Sequence, residues 1–198
     1  MLLTNICGVT ELASPRALRS RARILAAALD LFEERGYRST TVAQIAAAAG
    51  VTSMTFFRHF PTKDSVLVTD PYDPLIAEAI AAQPLDLPAL ERVRRGLLAA
   101  LDGITPVEDA TARRRVAVVA GLPELRGALM ASTQATQDAI VDRLVGQGVD
   151  RLDAALVTAA CLGAISAALL VWPRLGDDVT LGSQVRYALG LLVAGEAR

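Results

Sequence analysis

The stretch Thr40 to Lys63, TTVAQIAAAAGVTSMTFFRHFPTK, constrains this chain more than any other. Val42, Ile45, Ala46 and Ala49 recur at helical spacing, Gly50 interrupts, and Val51 is the apolar residue leaving the turn. A second helix is expected from about Ser53 to His59, stopped by Pro61. Thr41 is placed to cap the first helix, with Gln44 as its reciprocal partner three residues on. Thr52 is placed to cap the second, with Thr55 at its third position. Two short helices joined by a glycine-containing turn make a helix-turn-helix unit, whose second helix is the one that enters a DNA major groove.

Charge distribution supports that expectation modestly. The whole chain carries a net charge of -1. Residues 1–65 hold eight bases (Arg16, Arg19, Arg21, Arg23, Arg35, Arg38, Arg58, Lys63) against five acids, and the remainder twelve against sixteen. A basic front and an acidic back suit DNA binding confined to the first third. Few aromatic residues (4%) and many alanines and leucines argue for an all-α protein. A chain of 198 residues has room for a small helical domain joined to a larger one.

Residues 1–15 read as a flexible leader without the basic start and sustained apolar core of a secretory signal. Cys7 and Cys161 match no metal or redox spacing, and Cys161 is expected in the core. A first long helix is expected over Arg16–Arg35, with Ile24, Ala27, Ala28, Leu31 and Phe32 on its apolar face and Gly36 as its C-cap. Arg16, Arg19 and Arg23 share one face, which suits either a solvated basic surface or an approach to phosphates. A fourth helix is expected to begin at Lys63 behind a Thr62 cap, turning Val66 and Leu67 inward. Asp70-Pro71 and Asp73-Pro74 then interrupt the pattern, and helix is expected to resume with PLIAEAIAA before Pro84, the whole forming a kinked connector. Further helices are expected over Leu87–Leu101, Glu108–Val119, Glu124–Leu144, Asp153–Val171 and Val179–Ala194, about nine in all.

No charge falls between Asp153 and Arg174, a run long enough to span a bilayer. Thr158, Gly163, Ser166, Pro173 and the alanines within it, with no basic or aromatic belt at both ends, favour burial inside a protein over a membrane span. Small residues permit close helix approach. The hairpin of this helix with the next could therefore pair with a symmetry mate, through Leu156, Ala160, Gly163, Ala167, Val185, Leu189 and Leu192.

The segment RILAAALDLFEERGYRSTTVAQIAAAAGVTSMTFFRHFPTKDSVL, covering about residues 21–67, resembles the DNA-binding domain of TetR-family transcriptional regulators. The segments FPTKDSVLVTDPYDPLIAEAIAAQP and GLPELRGALMASTQATQDAIVDRL, with ALLVW, are similar to regulators related to the mycofactocin-system regulator. The resemblance implies three parts: the leader, a DNA-binding domain at 16–67 built as a three-helix bundle, and a helical ligand-binding and dimerisation domain at 68–198. It implies a cytoplasmic, ligand-responsive homodimeric repressor on a near-palindromic operator, with acyl-CoA esters as an effector class of that branch.

Residue by residue, the resemblance places Thr52, Ser53, Met54 and Thr55 against bases and the nearest phosphates. Phe57 stands where relatives often carry a phosphate-contacting tyrosine, so that hydroxyl is missing here. His59, the sole histidine, and Lys63 match backbone-contacting positions, and Thr41 and Arg38 lie at the start of the first short helix. Arg58 suits a phosphate or open solvent equally.

An enzyme is not expected. No nucleophile–base set, metal spacing or phosphate loop emerges, and Gly146-x-Gly148 follows no strand. No cofactor is expected. An effector pocket lined by Leu97, Leu98, Leu101, Arg115, Val119, Leu122, Met130 and Trp172 is the expectation for the larger domain, though each apolar member suits ordinary core equally. The competing reading is a dimeric helical interaction protein with a degenerate DNA-binding head and no ligand.

Overall fold

The computed structural model describes residues 15–69 and 73–193. The expected leader before Pro15, Cys7, the Asp70-Pro71 step and Ala194 lie outside the described residues. Those described form ten α-helices with short 3-10 turns and no strand. The count exceeds nine because the region between Lys63 and Ala81 holds two separate helices. The chain divides into two compact units between Thr69 and Asp70.

The first unit contains α1 (Pro15–Arg35), α2 (Val42–Ala48), α3 (Ser53–His59) and α4 (Ser65–Val68). Ile24, Ala28, Leu31 and Phe32 of α1 turn inward at helical spacing, joined by Leu29. Ile45 and Ala46 from α2, Phe56 from α3, the following Phe60, and Val66 and Leu67 from α4 complete this core. Complete burial of Phe56 and Phe60 is worth about 1.5–3 kcal/mol each. Helices as short as α2 and α3 depend on that packing.

Their ends are specified locally. Thr41 and Gln44 form a full capping box on α2, and the Thr52 hydroxyl accepts from the Thr55 amide at 3.1 Å. Helix α2 ends in a Schellman turn. The Val51 amide donates to Ala46 O at 2.9 Å, that of Gly50 to Ala47 O at 3.0 Å, and Gly50 sits at φ +61°. Thr62 and Ser65 cap each other reciprocally, as expected of a chain turning into a helix at Lys63, although Lys63 and Asp64 form a turn and regular α4 spans Ser65–Val68.

The second unit contains α5 (Asp73–Ala81), α6 (Ala89–Ala99), α7 (Pro106–Ala120), α8 (Arg126–Gly146), α9 (Arg151–Val171) and α10 (Leu181–Val193). Its core gathers Ile80, Val93, Leu97, Ile140, Val141, Leu144, Ala154, Cys161, Leu162, Val185 and Leu189. Cys161 is a buried free thiol whose pKa burial pushes up to about 11. Gly96 lets α6 approach α5 closely: a β-carbon there would lie 2.5 Å from the Ile80 Cα. Buried Arg92 donates to the Gln147 side-chain carbonyl, and the Gln147 amide nitrogen donates to Ala81 O at 2.9 Å. This bridge fastens α6 to the ends of α5 and α8.

Capping also shapes the second unit. Thr105 and Glu108 box the start of α7 with Pro106 at its first position, and Asp150 caps α9. The connection between α9 and α10 is held by α7 from one side. Arg113 donates to the carbonyls of Leu175, Gly176 and Val179, and Asp109 accepts from the Leu181 amide at 2.7 Å.

Candidate nucleic-acid interface

Helix α3 divides its residues cleanly. Phe56 is fully buried, with Phe60 buried just beyond the helix, while Met54 is 81% and Phe57 51% exposed. Thr52 and Ser53 share the outward side, with Thr55 half-buried beside them. The Phe57 ring meets the edge of Phe56, 5.5 Å between centroids at 86°. Large apolar side chains left in water at the start of a short polar helix make a surface suited to thymine methyls and sugar edges. The hydroxyls of Thr52 and Thr55 lie 3.0 Å apart, so each is partly committed to the helix start.

Cations from α1 and from the approach to α4 fix this reading helix in place. Arg21 donates to His59 O at 2.9 Å, at the last turn of α3, and stacks over the Phe60 ring at 4.2 Å. Arg23 donates to Ala49 O and, at 3.1 Å, to Gly50 O, covering the carbonyls of the turn. Lys63 donates to Tyr37 O at 2.9 Å and Thr40 O at 3.0 Å, with its ammonium 4.0 Å from the Tyr37 ring centroid. Tyr37 in turn hydrogen-bonds Asp64, and the buried Thr40 hydroxyl donates to Gly36 O at 2.9 Å. Cations at helix C-termini satisfy orphan carbonyls and oppose the negative end of the dipole.

Two of the expected phosphate contacts look different in this light. Lys63 has two of its three donors engaged inside the protein, which makes it a structural clamp whatever its third donor meets. Nε2 of His59 is buried without a hydrogen-bond partner. Burial, then the neighbouring Arg58 and Arg21 charges, lower its pKa below the ordinary 6.5. In the free protein these neighbours disfavour the imidazolium form. Thr41 is exposed at the start of α2, with Arg38 exposed on the loop before it.

The basic face of α1 splits into two roles. Arg21 and Arg23 are tied to backbone carbonyls, whereas Arg16 and Arg19 line a cleft of about 320 Å³ with Ser20, Arg23, Gly50, Val51, Thr52, Thr55 and Arg58. The three-and-four spacing was visible in the sequence. Its convergence with Arg58 across the turn was not, because that depends on how α1 crosses α3.

In the second unit, α9 is long and apolar enough to cross a membrane, and only 17% of its apolar window is buried. Its inner side carries Ala154, Thr158, Cys161 and Leu162, and its outer side carries Leu152, Leu156, Ala160, Gly163, Ala167 and Leu170. Outer residues recur every three or four positions, a continuous apolar stripe. On α10 the outward residues are Ser183, Arg186, Tyr187, Gly190 and Leu191. Val185 and Leu189 are corrected as interface candidates. They are 4% and 0% exposed inside their own unit's core, because α10 packs that side onto α9 and α6. Leu192 is partly buried against the same core.

The expected pocket lining is likewise redistributed. Leu97 belongs to the core cluster, with Leu98 and Leu101 packed against it. Trp172 is fully buried, its indole N–H donating to Val179 O at 2.7 Å beneath the Arg113 guanidinium. Val119 is buried, and Leu122 and Arg115 are half-buried. Met130 is 73% exposed on the outward side of α8. Arg113, two residues before Arg115, is taken up by the α9–α10 connection.

A compact helix-turn-helix unit followed by a helical unit of this size is the architecture of one-component bacterial regulators. Residues 24–68 match the profile of bacterial regulatory proteins of the tetR family, and residues 87–197 that of the MftR C-terminal domain. The chain belongs to the TetR family, whose members are transcriptional regulators rather than enzymes. It is similar to the HTH-type transcriptional regulator TcmR of Streptomyces glaucescens, 37% identical over 98 residues that span 43% of each chain. A shorter match, 47% over 47 residues, joins 24% of it to 23% of the repressor KstR2 of Rhodococcus jostii. These matches thus cover less than half the length of either relative. NalD, the secondary repressor of a multidrug efflux pump in Pseudomonas aeruginosa, shares the fold with a TM-score of 0.56 at 21% identity, over 91% of this chain and 96% of NalD.

Proposed function

We propose that the chain is a sequence-specific DNA-binding repressor that works in the cytoplasm as a homodimer on a near-palindromic operator. The observation that carries this reading is α3 itself, with Met54 and Phe57 held in solvent while Arg21 and Arg23 clamp the carbonyls that orient it. In the reading we favour, Ser53, Met54 and Thr55 contact bases. Thr41, Arg38 and Arg58 meet the phosphates, with a lesser part for Lys63. A second copy covering the outer stripe of α9 and the facing side of α10 would place two heads on successive major grooves. The small side chains at Ala160, Gly163 and Ala167 support close helix approach there.

The effector is a small, largely apolar molecule bound in the second unit, with acyl-CoA esters the class to be tried first. Its binding would shift the spacing of the heads and so the operator affinity. Selection from a random duplex pool with the full chain, followed by salt titration, tests the central claim. A near-palindromic consensus bound with steep salt dependence is expected. Failure to enrich any duplex sinks the regulator reading and leaves the helical interaction protein. Release of the selected DNA by palmitoyl-CoA tests the effector class separately.

A further inference from the structure

We infer that the arginine cleft between α1 and α3 is a second DNA contact, seating a backbone phosphate that lies outside the base pairs α3 reads. The inference rests on the DNA-binding reading above and adds a partner atom to it.

The charge pattern is the first ground. Arg16, Arg19, Arg23 and Arg58 line one cleft of about 320 Å³, whose other lining residues are serine, threonine, glycine and valine, with no carboxylate among them. Arg23 is committed to Ala49 O and Gly50 O. Among the described residues Arg16, Arg19 and Arg58 form no ion pair, and the cleft lining itself supplies no counter-charge.

The second ground is that the arrangement works against the free helix. Arg16 and Arg19 stand near the N-terminal end of α1, whose first turn contains no acid. Cations at that end oppose the helix dipole, and like charges three residues apart repel. An anion in the cleft reverses both effects. Guanidinium groups are the preferred partners of phosphate oxygens, which they engage in bidentate fashion.

The third ground is position. Thr52 and Thr55, at the start of the reading helix, form part of the same wall. A phosphate there would belong to the strand that α3 follows, displaced toward α1 from the bases beneath Ser53 and Met54. The operator would then need flanking base pairs that carry no sequence information.

The test compares the full chain with the double variant Arg16→Gln/Arg19→Gln on a duplex selected by the unaltered protein. Both side chains are exposed, so the fold should be retained, as circular dichroism would verify. The slope of log affinity against log salt should fall by about 0.9, the share of the one lost phosphate contact, with the ratio of operator to scrambled-duplex affinity unchanged. Single methylphosphonate replacements along the flank should identify one position that weakens the unaltered protein and leaves the variant unaffected. An unchanged slope, or a flank with no such position, overturns the inference while leaving the regulator reading intact. Pyrophosphate binding lost in the variant, without any flank effect, would assign the cleft to a free phosphoanion and overturn it equally. If the unaltered protein selects no duplex, both readings fall together.

Discussion

The Arg23 guanidinium occupies the space that a side chain at Gly50 would need: its Nη2 atom lies 2.7 Å from where that β-carbon would stand. The glycine is thus required twice, for its φ of +61° and for the cation that covers the turn. Gly50→Ala should cost about 1–2 kcal/mol from the left-handed backbone alone. Displacing Arg23 adds to that. Urea unfolding of Gly50→Ala, Arg23→Ala and the double variant checks this, with the double less destabilised than the sum of the singles.

Lys63 serves the fold before it serves DNA. Lys63→Met keeps the stem over Tyr37 and deletes the two bonds to Tyr37 O and Thr40 O. A loss of about 1–2 kcal/mol in the denaturation midpoint is expected, given the partial exposure of the site. A salt slope of DNA binding that fell by a full contact with no change in stability would reverse this assignment.

His59 makes stability fall on mild acidification. Its folded pKa is lowered by burial and by Arg58 and Arg21, so the unfolded chain takes up the proton first as pH drops. The contribution is fully present above 6.5 and lost as pH falls through the lowered folded value. Glu91 follows the same sign in a more acidic window, its pKa held near 2 against an ordinary 4.5 by hydrogen bonds from Arg94 and Arg95. Because His59 is the only histidine, His59→Phe should flatten the dependence that sets in as pH falls below 6.5, and thermal melts at several pH values would show it.

Gly96 is the counterpart of Gly50 in the second unit. A methyl group there meets the Ile80 backbone as well as its side chain, which cannot rotate away. Gly96→Ala should destabilise by about 1–3 kcal/mol through overpacking, whereas Gly127→Ala, with open space at its Cβ, should not. Thermal unfolding of both variants separates the two cases.

Legibility in the sequence tracked the range of each interaction. The box expected at Thr41–Gln44 joins residues three apart, and the structure contains it; the box at Thr105–Glu108 has the same spacing but was not expected, and the helix placed at Glu108 opens at Pro106. The clamps from Arg21 and Arg23 reach 38 and 26 residues along the chain, and no periodicity announces them. All four α9 candidates lie on the outer side, whereas on α10 Val185 and Leu189 sit on the face that its own unit's core covers, and the sequence does not say which neighbour an apolar face meets. Met130 was misplaced because apolar residues on α8 are spread round the helix rather than gathered into one stripe. The arginine spacing on α1 was plain, while the split between tied and untied members needed the crossing of α1 over the turn.

Commitment of the Thr52 hydroxyl to the start of α3 bears on how the head can diverge. The Thr52 hydroxyl accepts from the Thr55 backbone amide and donates to the Thr55 hydroxyl, so changing Thr52 alters helix formation together with any contact outside. Ser53 and Met54 are exposed and build nothing within the protein. Mutational drift can explore those two positions at little folding cost, whereas the capping Thr52 is held by selection on the scaffold itself. Paralogues that acquire new operators from this framework should therefore differ first at 53 and 54 and keep a capping residue at 52.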